Sequence, residues 1–142
     1  MRKTVCLFVT LAILAGCRSD ELDSQLVGDW LWAGSSGGFA GMIIMPAANE
    51  RTIISFTRKG TFSVSKNDTL QTSGAYRLNS VKSIYKSGEA TGILIDNVVN
   101  HQRKLPSFSL SSLKVIVSMT AAELSVGDNA YDGFSSTFKR LK

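Results

Sequence analysis

Catalysis and metal binding need side chains that can hold a proton, a metal or an activated oxygen, and this chain of 142 residues has few of them. His101 is its one histidine, so any hydroxyl or thiol activated by imidazole would have to be built around that residue. Asn100 and Gln102 beside it form no nucleophile motif, and the polar run reads as a surface loop. A zinc centre needs three or four nitrogen, sulfur or carboxylate ligands. With one histidine, and cysteines only at Cys6 and Cys17, no such set is expected. Paired carboxylates of the glycosidase kind find no strand context that brings two of them together. Gly34, Ser35, Ser36, Gly37 and Gly38 suggest a phosphate loop, but no Gly-Lys-Ser/Thr ending and no predicted helix follow them. The expectation is a chain that is not an enzyme and has no metal or cofactor.

The first residues carry a different kind of chemistry. Arg2 and Lys3 precede an apolar run from Val5 to Leu14, broken only by Thr10, and Leu14, Ala15, Gly16 and Cys17 follow directly. This is the basic, apolar and small-residue order of a secretory signal. Ten helical residues span about 15 Å, roughly half of a bilayer's hydrocarbon core, which is too short for a permanent span. The last four residues resemble the lipobox of bacterial lipoproteins. That resemblance implies cleavage after Gly16, diacylglycerol on the Cys17 sulfur and acylation of the new amino group. Residues 1–16 would then be a signal peptide and 17–25 a lipidated flexible tether. Arg18 stands where an aspartate would signal inner-membrane retention, which favours the outer membrane. Asp20, Glu21 and Asp23 resemble the acidic export signal of Bacteroides-group surface lipoproteins, with a plain solvated tether as the alternative. The expected location is the cell envelope, on the periplasmic or the outer face.

Without residues 1–16 the chain keeps 14 basic residues against 11 acidic ones, a net charge of +3 in place of +5. These charges are scattered and not interleaved with aromatics, so no nucleic acid partner is expected. Only Cys17 remains as a cysteine, so no disulfide supports the fold and stability must come from burial.

From Leu26 to the end, the period is two. Leu26, Gly28, Trp30 and Trp32 share one face of a first strand. Thr52–Thr57 and Thr61–Ser65 read as a hairpin around Arg58, Lys59 and Gly60. Asn67 and Asp68 turn the chain into Leu70–Leu78, where Gly74 marks a bulge. Thr91–Asp96, Ser107–Leu110, Leu113–Met119, Glu123–Val126 and Phe134–Leu141 complete about eight strands, which suit an antiparallel barrel or a sandwich. A barrel leaves no open edges.

Gly28, Asp29 and Trp30 resemble the G-x-W signature of lipocalins and their calycin relatives. The resemblance implies an all-β, up-and-down, eight-stranded barrel over 26–142, with Gly28, Trp30 and Arg140 closing one end. Trp30 would plug the barrel and Arg140 would pack over it. Trp30 to Trp32, Gly34 to Gly38, Phe56 to Phe62, Ser73 to Tyr76 and Tyr131 to Phe134 are similar to lipocalin-like lipoproteins of the Bacteroides group. The lack of a disulfide departs from many secreted lipocalins. Tyr131, Asp132 and Gly133 are explained by a turn into the last strand.

The most suggestive segment for function is Gly34 to Asn49, a long connection containing Phe39, Met42, Ile43, Ile44 and Met45. One reading makes Phe39, Met42 and Met45 part of a lid over a pocket lined by Phe56, Phe62, Tyr76 and Ile95. The other has the segment plug the barrel, as a further strand, and leave no cavity. The leading expectation is a membrane-anchored binder of a small apolar or amphipathic ligand. The alternative is a protein-interaction module with a filled barrel, serving an outer-membrane complex or inhibiting an enzyme. An exposed apolar patch over Gly34 to Asn49 would favour that alternative.

Overall fold

The computed structural model describes residues 17–102, 108, 110 and 112–142. The signal-like segment 1–16 lies outside the described residues, as do Ser107 and Ser109 of the strand expected at 107–110. Helix α1, Cys17–Leu26, precedes the strands β1 Gly28–Gly37, β2 Met42–Ile44, β3 Thr52–Phe56, β4 Thr61–Lys66, β5 Thr69–Lys82, β6 Glu89–Asn100, β7 Leu113–Met119, β8 Glu123–Asp128 and β9 Phe134–Arg140. Each strand from β3 to β9 pairs with the next, and β1 joins β3 on one side and β9 on the other. Eight antiparallel strands thus close into an up-and-down, lipocalin-like barrel, with β2 attached to the upper part of β1.

Alternation sets which side chains fill the interior. Trp30 and Trp32 of β1, Ile54 and Phe56 of β3, and Phe62 and Val64 of β4 all point inward and are buried. Between Trp32 and Gly34 the β1–β9 register shifts, and this bulge changes which residues face in. Ser35 turns inward and is satisfied there, its hydroxyl 2.7 Å from the Ser136 hydroxyl and accepting the Trp32 indole N–H at 3.0 Å. A second bulge between Ser73 and Ala75 contains Gly74. β5 and β6 run longer than their sequence pattern, because their connecting turn reaches the outer wall. There the Tyr85 hydroxyl donates to the Asp128 carbonyl at 2.6 Å, and Asn129 bonds Lys82 and Ile84.

Three expectations need correction. Residues 17–25, read as a flexible tether, are helical. A ten-residue polar helix is marginal by itself, and this one is held by tertiary contact: Leu26 is fully buried and accepts the Trp30 indole N–H at 2.8 Å. The segment from Gly34 to Asn49 is not one long loop. Its first residues continue β1 because β9 pairs with them, Gly37 facing Phe134. Gly38 and Gly41, at φ 74° and 63°, then turn the chain tightly into β2. Finally, Phe108 and Leu110 lie in irregular chain and not in a strand. Among the described residues no helix is long and apolar enough to cross a membrane.

Candidate functional site

One end of the barrel is sealed. The Arg140 guanidinium carbon lies 4.0 Å from the centre of the Trp30 ring, a cation–π contact. Its N–H groups donate to the carbonyls of Val27 (2.9 Å), Ala121 (2.9 Å) and Gln25. Gly28 has to be glycine here: its φ is +133° and a Cβ would come within 2.7 Å of Arg140 Nη1. Gly28, Trp30 and Arg140 are therefore brought together, with α1 over them.

The four residues expected to line a pocket, Phe56, Phe62, Tyr76 and Ile95, belong to one continuous core. Phe56 and Tyr76 meet edge to face, with ring centres 5.0 Å apart. The Tyr76 hydroxyl lies 3.0 Å from the Thr57 carbonyl and 3.2 Å from the Asp23 carboxylate of α1. Burial, and then the negative charge of Asp23 and its hydrogen bond, push the Tyr76 pKa up from 10.0 to about 12. The folded protein keeps a proton that the unfolded chain releases, so this contribution is complete below pH 10 and is lost as pH rises through about 12. Unfolding midpoints measured across that window should fall with pH, and the fall should be shallower in Tyr76→Phe.

Among the described residues the interior is closely packed. Phe108 packs against Trp32 at 6.0 Å and against Phe138 at 5.2 Å between ring centres, and it belongs to the buried core. Among the described residues a cavity of about 20 Å³ is lined by Phe108, Leu110, Phe56 and Ile95 but by neither Phe62 nor Tyr76. That is room for roughly one water, and an apolar lining leaves such a space dry. Lys114 and Ser136 border it as well. Lys114 Nζ lies 2.6 Å from Asp128 Oδ1, with side-chain exposures of 5% and 18%. The other Asp128 oxygen accepts the Phe134 N–H at 3.0 Å. Sequence reasoning missed this interior ion pair. β7 offers two faces, and the register partner of Lys114, Asp128, lies beyond the strand expected at Glu123–Val126.

Phe39, Met42 and Met45 are not folded over the interior. They stand on the β1–β2 hairpin at the rim, away from Trp30, and are 96%, 52% and 65% exposed. Ile43 beside them is 75% exposed, while Ile44 packs on the core. No charged residue occurs from Trp30 to Asn49. The structure therefore divides the seven expected ligand residues into an exposed rim group and a buried core group.

Among the described residues one contact has the geometry of a nucleophile and its base. Ser73 Oγ lies 2.8 Å from His101 Nε2, the distance of a nucleophile and its base. Both are on the outer wall, where Thr72 takes the inward place, and neither lines the interior cavity. Among the described residues no three histidine, cysteine, aspartate or glutamate side chains converge on a point that could hold a metal. No family model matches the chain, and neither the curated proteins nor the solved structures contain a match to it.

Proposed function

We propose that this chain is an exported lipoprotein of the lipocalin-like type, held at the outer membrane by lipid on Cys17, whose barrel acts as a protein-interaction module. One contrast carries the reading: among the described residues the interior cavity measures about 20 Å³, while the rim exposes Phe39, Met42, Ile43 and Met45. A small-molecule site of ordinary size needs roughly 300 Å³ or more. Contiguous apolar residues exposed on a hairpin are characteristic of contact surfaces. The tether supports the same arrangement. α1 docks at the sealed end beside Trp30, so the hairpin points away from the lipid anchor and toward whatever faces the envelope surface.

The competing reading, a carrier of a small apolar or amphipathic ligand, draws support from the apolar lining around Phe56 and Ile95. Titration with a fluorescent fatty acid separates the two. The interaction-module reading predicts no saturable uptake by the chain from residue 17 onward, with Cys17→Ser blocking acylation. Stoichiometric, saturable uptake would restore the carrier.

A further inference from the structure

The exposed apolar residues of the rim stand on the β1–β2 hairpin, and we infer that Asp128, at the end of β8, is the residue that positions this contact surface. The inference rests on the reading of the barrel as an interaction module and names what holds that surface in place. Asp128 is a positioning residue: it acts through the turn at 129–133, which leads into β9.

The hairpin has little to fix it from within. β2 is three residues long, and among the described residues it pairs with β1 alone. The upper part of β1, Gly34, Ser35, Ser36 and Gly37, has little strand preference of its own. Its course is set where it meets β9, Ser35 pairing with Ser136, Ser36 with Ser135 and Gly37 with Phe134. One bond continues past the strands, from the Gly38 N–H to the Gly133 carbonyl at 3.3 Å. Backbone meets backbone here. A Cβ on Gly37 would collide with the Gly133 carbonyl, and one on Gly133 would lie 2.5 Å from the Asp128 Cβ. With no side chain between them to absorb a displacement, a shift of the turn is a shift of the hairpin's root.

A five-residue surface turn, with Tyr131 93% exposed, is the kind of segment that moves. This one is braced at its base from both sides of the barrel wall. On the inner side Asp128 Oδ2 accepts the Phe134 N–H at 3.0 Å and so ties the two ends of the turn together. Asp128 Oδ1 meets the Lys114 ammonium at 2.6 Å, which holds the carboxylate in that orientation. On the outer side the Asp128 carbonyl accepts the Tyr85 hydroxyl at 2.6 Å. Asn129 accepts the Ile84 N–H at 3.1 Å and donates to the Lys82 carbonyl at 2.8 Å. Two adjacent residues therefore join the interior ion pair, the β5–β6 connection and the start of β9. Such a brace suits a contact surface, because apolar groups carried on an ordered root lose less freedom when a partner covers them.

The test uses the chain from residue 17 with Cys17→Ser, since the described buried core lies between Leu26 and Phe138. It compares Lys114→Met combined with Asp128→Asn against Lys114→Met combined with Asp128→Leu. Both pairs remove the ion pair and its two charges, and the side chains introduced at 128 are close in size. They differ in the oxygen that accepts the Phe134 N–H. Amide exchange followed by NMR should be about tenfold faster at Gly38 in the leucine variant, the effect of roughly one lost hydrogen bond. The amide shifts of residues 39–45 should move with it. The Leu141 amide, bonded to the Asp29 carbonyl at the sealed end, should change by less than about twofold. Equal exchange at Gly38 in the two variants overturns the inference. So does an acceleration shared by Leu141, which would be a general loss of stability, or a change at Gly38 that leaves residues 39–45 where they were. Tyr85→Phe is a second measurement should either pair fail to fold: losing one bond to the Asp128 carbonyl should speed Gly38 at least about twofold and spare Leu141, and no change at Gly38 overturns the inference. These outcomes concern how the rim is held; the interaction-module reading itself falls only if the barrel takes up the fatty acid.

Discussion

Trp30→Ala is expected to lower the folding free energy by about 4 kcal/mol, the range for deleting a fully buried large aromatic. The ring is fully buried, its N–H ties β1 to the end of α1, and its face supports Arg140. Its loss opens a cavity at the sealed end and removes the surface on which the guanidinium rests. Arg140→Ala should cost about 2 kcal/mol, because charge-assisted bonds to three backbone carbonyls go with it. The double variant should cost less than the sum by about 1 kcal/mol, the coupling carried by the cation–π contact. Arg140→Lys should recover only part, since an ammonium cannot fork to three carbonyls. Urea unfolding monitored by tryptophan fluorescence and circular dichroism gives all four values. Additive single effects would mean that Arg140 closes the barrel independently of Trp30.

Lys114→Met should cost about 3 kcal/mol for a different reason. Removing one partner of a largely buried ion pair weakens the compensation of the other charge, at about 3–5 kcal/mol where burial is complete. The partial exposure of Asp128, and the Phe134 N–H it accepts, keep the cost at the lower end. Adding Asp128→Asn should restore part of the loss, because the amide oxygen still accepts that N–H while the charge that faced Lys114 disappears. The same denaturation curves report it. If the double variant is no more stable than Lys114→Met, the cost comes from packing around the cavity and the ion pair is incidental.

How far this fold could be read from residues depends on what stabilises each element. The β3–β4 hairpin is locally encoded: Gly60 takes φ 71° in its turn, and Phe62 and Val64 lie on one face of β4. The sealed end was legible through Gly28 and Trp30, whose short spacing fixes a strand entry, and through the cation near the chain's end. The β1–β2 hairpin was not. Its glycine-rich residues have little strand preference and extend only because β9 offers a partner from Phe134 to Thr137. α1 was hidden for a related reason: its polar sequence forms a helix against Trp30, just beyond it, and against Tyr76, which is far away in the chain. Lys114 shows another limit: a lysine within an alternating strand signals the solvent face unless its acidic partner is known. Phe108 illustrates the limit for the site. One aromatic between β6 and β7 decides whether the barrel is empty or full, and nothing in its spacing gives its direction.

The central claim, a filled barrel that works through its rim, is tested most directly by native mass spectrometry of the Cys17→Ser chain purified without detergent and then extracted with organic solvent. The account predicts the mass of the bare polypeptide and an extract with no reproducible compound. A single small molecule released on denaturation, in proportion to protein, would contradict it and identify the barrel as a carrier.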